Sequence, residues 1–204
     1  MTFSHLRTIF SLFSLSLGLS LSVAPCSYAQ TVDATANPEE PGWFKSHLDA
    51  AENKIESIYD VDRLSMILSG YAYHDRSTYP ASHLHDDNER TWGLGVSKEI
   101  RDEKDNEESI QFIAISDSHF QPQVSATYSY DWMKPLPGNW ELGLGFKAGV
   151  IARPDIYRGI PIPGALPEFS IGTRDTKVMF VYVPKLTGTI NGNVLWVTLR
   201  INVK

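Results

Sequence analysis

Tyr73-His74-Asp75 and Ser116-Asp117-Ser118 carry the residue types of a proton-transfer site. An imidazole can take the proton of an attacking hydroxyl, and a carboxylate can orient or balance that imidazole. A serine can attack a carbonyl or steady the tetrahedral centre that forms. The two triplets are distant in the chain, so only the fold can bring them together. A second group, His83, His85, Asp86 and Asp87, has metal-ligand chemistry. No second cluster in the sequence completes a coordination sphere, so no metal is expected. The sequence also lacks a phosphate loop and a Gly-x-Ser-x-Gly elbow, and no cofactor is expected.

The elements that must position these residues have a period of two. Leu195, Val197, Leu199, Ile201 and Val203 are apolar, and Trp196, Thr198, Arg200 and Asn202 alternate with them. The same pattern runs through 91–100, 124–132 and 140–152, and more weakly through 64–74, 109–118, 168–173 and 177–184. Most of these segments have the roughly nine to eleven residues that a tilted strand needs to cross a bilayer. Turn-forming stretches separate them, among them Asp102–Glu108, Lys134–Asn139 and Gly188–Asn193. One face of the alternation carries Leu, Val, Phe, Tyr and Trp, whereas the other is mostly Gly and Ser. A core lined with Gly and Ser packs poorly, so the large residues should face lipid. The expected fold is all-β: an eight-stranded antiparallel outer-membrane β-barrel, with Trp92, Tyr130, Trp132, Trp140 and Tyr182 as interface girdles. In an up-and-down barrel the first and third strands end on the same rim, which lets His74, Asp117 and Ser118 meet. Ser125, Gly143, Gly145 and Gly149 would leave room inside for a small cavity.

Residues 1–29 have the layout of a cleaved signal peptide: Arg7, an apolar run, and a small-residue site at Ser27-Tyr28-Ala29. Its removal takes away Cys26, the one cysteine in the sequence. Residues 30–60 read as a polar leader and an amphipathic helix, with Phe44, Leu48, Ala51, Ile55 and Ile58 on one stripe. That stripe suits either a protein core or the membrane interface. Residues 61–204 form the barrel. The 204-residue chain has a net charge of −6, which argues against nucleic acid as a partner.

Several stretches together resemble the outer-membrane lipid A palmitoyltransferase family, PagP. They are Asn88-Glu89-Arg90-Thr91-Trp92-Gly93, Ser116-Asp117-Ser118, Leu142 to Phe146 with Ala148-Gly149-Val150, Ala152-Arg153, Ile160-Pro161-Ile162-Pro163 and Asn191-Gly192-Asn193-Val194. His74 stands at the family's spacing before the Asn-Glu-Arg stretch. The match runs in order from about residue 42 to 203. It implies a monomeric enzyme in the outer membrane of a Gram-negative bacterium, with a phospholipid donor and a lipid A acceptor. A palmitoyl chain would move from the first position of the phospholipid to the hydroxymyristoyl chain on the proximal glucosamine. His74 would be the general base, Asp117 would orient or charge-balance it, and Ser118 would be a nucleophile or a polar stabiliser. Arg153 would steady the loops or a lipid phosphate.

Departures from the family pattern carry their own expectations. Ser129 stands where family members commonly have the glycine at the floor of the acyl pocket, which implies a chain somewhat shorter than palmitate. Pro167 and Pro184 match the prolines of the lateral donor gate, but Ser69 and Thr91 replace those of a second gate. Two other readings compete with the acyltransferase: a non-catalytic outer-membrane barrel, and a soluble lipocalin-like binder of an apolar ligand.

Overall fold

The computed structural model describes residues 42–79, 88–155, 157–185 and 193–204. The expected signal peptide and His83, His85, Asp86 and Asp87 lie outside the described residues. One helix, α1 (Trp43–Tyr59), precedes eight strands: β1 (Leu64–His74), β2 (Gly93–Arg101), β3 (Glu107–Ser116), β4 (Pro122–Pro135), β5 (Trp140–Ala152), β6 (Ile162–Thr173), β7 (Thr176–Val183) and β8 (Val194–Asn202). Each strand pairs antiparallel with the next, and β8 pairs with β1, so the sheet closes into a barrel without free edges.

The alternation read from the sequence sorts the two faces. Leu94, Val96, Phe112, Val124, Leu144 and Phe146 point outward, and Trp92, Trp132 and Trp140 are exposed near the strand ends. That is a surface for hydrocarbon flanked by interfacial aromatics. The inner face has two layers. Nearer the rim that carries His74, Ile67, Ile113, Ile115 and Met179 form an apolar cluster against which Trp196 packs. Nearer the opposite end lies an ion-pair network centred on Glu107. Its carboxylate holds Arg200 Nη1 at 2.7 Å, Lys177 Nζ at 2.8 Å and Arg101 Nη2 at 2.8 Å. Glu141 also pairs with Arg101 and Lys177, and Lys147 pairs with Glu168 at 2.5 Å. Mutual pairing makes it tolerable to bury so many charges in a barrel wall.

The inner glycines do not open empty space. A Cβ on Gly145 would come within 1.9 Å of the Tyr130 carbonyl oxygen and 2.4 Å of Asp131 Oδ1. At Gly143 it would meet Ser170 Oγ at 2.3 Å and Met133 Sδ at 2.9 Å. These glycines leave neighbouring side chains and backbone of β4 and β6 the space beside β5, so they do not themselves supply the room expected of them.

The helix docks by its last turns alone. Ile58 is fully buried, Lys54 Nζ reaches Glu108 Oε1 at 2.9 Å, and Lys98 Nζ donates to the Tyr59 carbonyl. Trp43, Phe44 and Leu48 stay exposed. Of the expected stripe, only the Ile58 end enters the protein, and the other end suits the membrane interface.

Candidate active site

His74 reaches the interior through a bulge. In β1, Ser65, Ile67 and Ser69 face inward, and strict alternation would continue with Tyr73. The β1–β8 register shifts between Ser69, opposite Thr198, and Tyr71, opposite Val197. Gly70 is the extra residue, and beyond it Ala72 and His74 are the buried positions. His74 is 2% exposed, and its ring stands edge-on to that of Tyr79, with centroids 5.2 Å apart.

The strip before β2 joins the two ends of the site. Ala72 N donates to the Glu89 carbonyl at 2.8 Å, which ties this strip to β1. Asn88 N donates to the Ser118 carbonyl at 2.7 Å, and Ser116 N to that of Trp92 at 2.9 Å, which tie it to β3. His74 and Asp117-Ser118 therefore flank one strip on one rim. Asp117 is buried and Ser118 half-buried.

Asp117 shapes its own turn. Its Oδ1 accepts from His119 N and Gln121 N, both at 2.8 Å, and its Oδ2 pairs with Arg153 Nη2 at 2.7 Å. Arg153 also holds Asp155 at 2.6 Å, so it fastens the loop after β5 to the turn after β3. The carboxylate beside the His74 ring is Glu89. Its Oε1 lies 3.6 Å from His74 Nδ1 and accepts from His74 N at 3.2 Å. Arg76 grips both oxygens of Glu89, at 2.7 and 2.9 Å, and Tyr71 OH adds a bond of 3.1 Å. Sequence reasoning gave Glu89 no role. The available signal was its place in the Asn88-Glu89-Arg90 stretch, just upstream of the strand that pairs with β1.

The Arg76 hydrogen bonds hold the Glu89 carboxyl down at about 2, against the opposing effect of burial. A depressed folded value means that stabilisation is complete above the ordinary carboxylate range and is lost as pH falls towards about 2. The Glu89 carboxyl-carbon resonance should therefore titrate near pH 2, with the rim losing this support between about 4.5 and 2. A midpoint near 4.5 would contradict the arrangement.

The two sides of the barrel differ at their seams. β7 pairs with β6 only at Glu168–Gly172, leaving Ile162–Pro167 bonded to β5 alone. Pro167 is exposed and Pro184 follows β7; neither has an N–H for a ladder bond. A cleft of about 280 Å³, lined by Leu144, Pro167, Phe169, Phe180 and Tyr182 among others, lies on the lipid face there. At the β1–β2 seam, Ser69 Oγ donates to the Thr91 carbonyl at 2.5 Å and accepts from Trp196 Nε1 at 2.8 Å. A side chain thus laces the second seam shut, where prolines would leave it open. Ser129 is fully buried beside Gln111, two positions along β4 from Asp131, where the apolar layer meets the charged one.

Comparison with known proteins shows the family. Residues 54–200 match the family model described as antimicrobial peptide resistance and lipid A acylation protein PagP. A protein named lipid A acyltransferase PagP from Legionella longbeachae is 34% identical over 80% of this chain and 71% of its own length. Namesakes from Bordetella parapertussis (31% identical; 80% of this chain, 86% of the relative) and Legionella pneumophila (32%; 84% and 90%) are similar along nearly the same span. The matched region contains the whole rim and all but the last two residues of β8, and the chain belongs to the PagP family.

Proposed function

We propose that this protein is an outer-membrane lipid A acyltransferase that works as a monomer. Its donor is a glycerophospholipid, and its acceptor is the hydroxyacyl chain on lipid A. What supports the site assignment is that a buried imidazole, a buried carboxylate and a half-buried serine flank one strip at one rim, with an apolar cluster in the interior on that side. The donor chain enters through the β6–β7 seam between Pro167 and Pro184, because a lipid tail can pass there without breaking ladder bonds. His74 takes the proton of the acceptor hydroxyl as its oxygen attacks the donor ester carbonyl. A new ester C–O bond forms, the donor's C–O bond breaks, and the proton passes to the oxygen of the departing lysophospholipid. Asp117, held by Arg153, fixes the turn that presents Ser118 to the tetrahedral centre.

Ser129 closes the acyl channel, since beyond it the interior is ionic and hostile to hydrocarbon. Its hydroxymethyl group favours a chain slightly shorter than palmitate. In competition between palmitoyl and shorter donors, Ser129→Gly should shift selectivity towards palmitoyl by about tenfold, the scale of one methylene in a pocket. Unaltered selectivity would remove Ser129 from the floor. Release of a labelled first-position chain, but not a second-position chain, tests the donor assignment.

A further inference from the structure

Four contacts converge on Glu89 from β1 and the turn after it, and all of them serve the neighbourhood of one ring. Its Oε1 accepts the backbone N–H of His74 at 3.2 Å, which sets where the residue sits, and faces Nδ1 at 3.6 Å, close enough for the charge to act on the ring though longer than a hydrogen bond. Tyr71 and Arg76 hold the carboxylate in that pose, with the Arg76 fork binding both oxygens. Tyr79 packs edge-on against the ring from the turn after β1. Asp117, the acid otherwise available, is engaged by Arg153 and by the amides of its own turn.

We propose that Glu89 is the positioning residue for His74, the part that an acid plays beside a catalytic imidazole. With Glu89 at Nδ1, the neutral ring carries its proton on that nitrogen and offers Nε2 to the acceptor hydroxyl. When Nε2 takes the hydroxyl proton, the imidazolium that forms meets an anion already in place, and the charge is balanced without reorganisation. The proton leaves from Nε2 to the lysophospholipid oxygen, so Glu89 itself gains and loses none. Asp117 then belongs to the opposite half of the rim, where it builds the turn bearing Ser118. Arg76 holds both Glu89 oxygens, including the Oε1 that faces His74, so the carboxylate stays fixed and its charge is shared with the guanidinium. This rests on His74 being the general base.

The test uses purified full-length protein in mixed micelles of phospholipid and lipid A, with folding checked by heat-modifiable gel mobility. Glu89→Gln keeps the acceptor for His74 N but removes the anion. Its kcat should fall about 100-fold while KM for both lipids stays within about threefold, the pattern of an interaction made in the transition state. Glu89→Asp should recover most of that loss, leaving kcat between about threefold and tenfold below the wild type. In a His74→Ala background Glu89→Gln should cost nothing further, because the two act as a unit. Wild-type kcat in Glu89→Gln beside an inactive His74→Ala would overturn the inference and leave the base assignment standing. Full activity in His74→Ala would overturn the base assignment itself. If Glu89→Gln fails the folding check, Glu89→Asp reads the same contact: kcat lowered at constant KM supports the role, and unchanged kcat overturns it.

Discussion

A His74→Ala variant should lose acyl transfer by about 1,000-fold or more while folding normally. General acid–base groups contribute roughly 10² to 10⁴ in rate, and the proposed acceptor is an unactivated alcohol. Folding should survive because His74 lies at the end of β1, above the apolar cluster and away from the ion-pair network. Ser118→Ala separates two roles for the serine. A covalent nucleophile would abolish transfer as fully as His74→Ala does. A stabiliser of the tetrahedral centre would cost about 10² to 10³, the scale of one oxyanion donor. Initial rates of lipid A acylation in micelles measure both variants, and undiminished transfer in either removes that residue from the chemistry.

Glu107→Ala should be the most destabilising single change in the barrel. The side chain is 3% exposed, and its two oxygens meet Arg101, Lys177 and Arg200 within 2.8 Å. Removing one side of a buried pair leaves charge without compensation, at a cost of about 3–5 kcal/mol. Three cations share this one anion, so the upper end of that range is expected. Glu141 would still partner Arg101 and Lys177, but Arg200 has no second ion pair within the described residues. Arg200 sits in β8 and pairs across the closing seam with β1, so the damage should show as loss of the closed barrel. Urea unfolding in detergent, followed by tryptophan fluorescence, gives the free energy. A change below about 1 kcal/mol would contradict the network's role.

Much of the architecture was legible because lipid on one side and a narrow interior on the other force a period of two. β8 is the plainest case: Leu195, Val197 and Leu199 face out, and Trp196, Thr198 and Arg200 face in. β6 was only half legible, at 168–173, because Pro163, Gly164 and Pro167 interrupt the pattern; the structure extends it to Ile162, paired with β5 alone. The inward turn of His74 was not legible. It depends on one extra residue at Gly70, and no local pattern marks a bulge before the partner strand's register is known. The charged interior was hidden for a related reason. Glu99, Glu107, Lys147 and Lys177 look like solvated residues until closure of the sheet places opposite charges from distant strands together. Glu89 belongs with them, since its value comes from facing β1 and not from its own surroundings in the chain.

The seams explain direction. The β6–β7 side lacks ladder bonds along Ile162–Pro167, while the β1–β2 side is laced by Ser69, Thr91 and Trp196. On the proposed function, acyl chains would pass the β6–β7 seam, and the side-chain lacing by Ser69 at the β1–β2 seam departs from the two-gate pattern that the resemblance implied.

Purified protein incubated with lipid A and a glycerophospholipid whose two acyl chains differ in mass decides whether this rim performs the transfer. The expected products are lipid A heavier by the first-position chain and the matching lysophospholipid, in equal amounts, with neither formed by His74→Ala. Lipid A of unchanged mass beside wild-type protein of folded gel mobility would contradict the acyltransferase assignment.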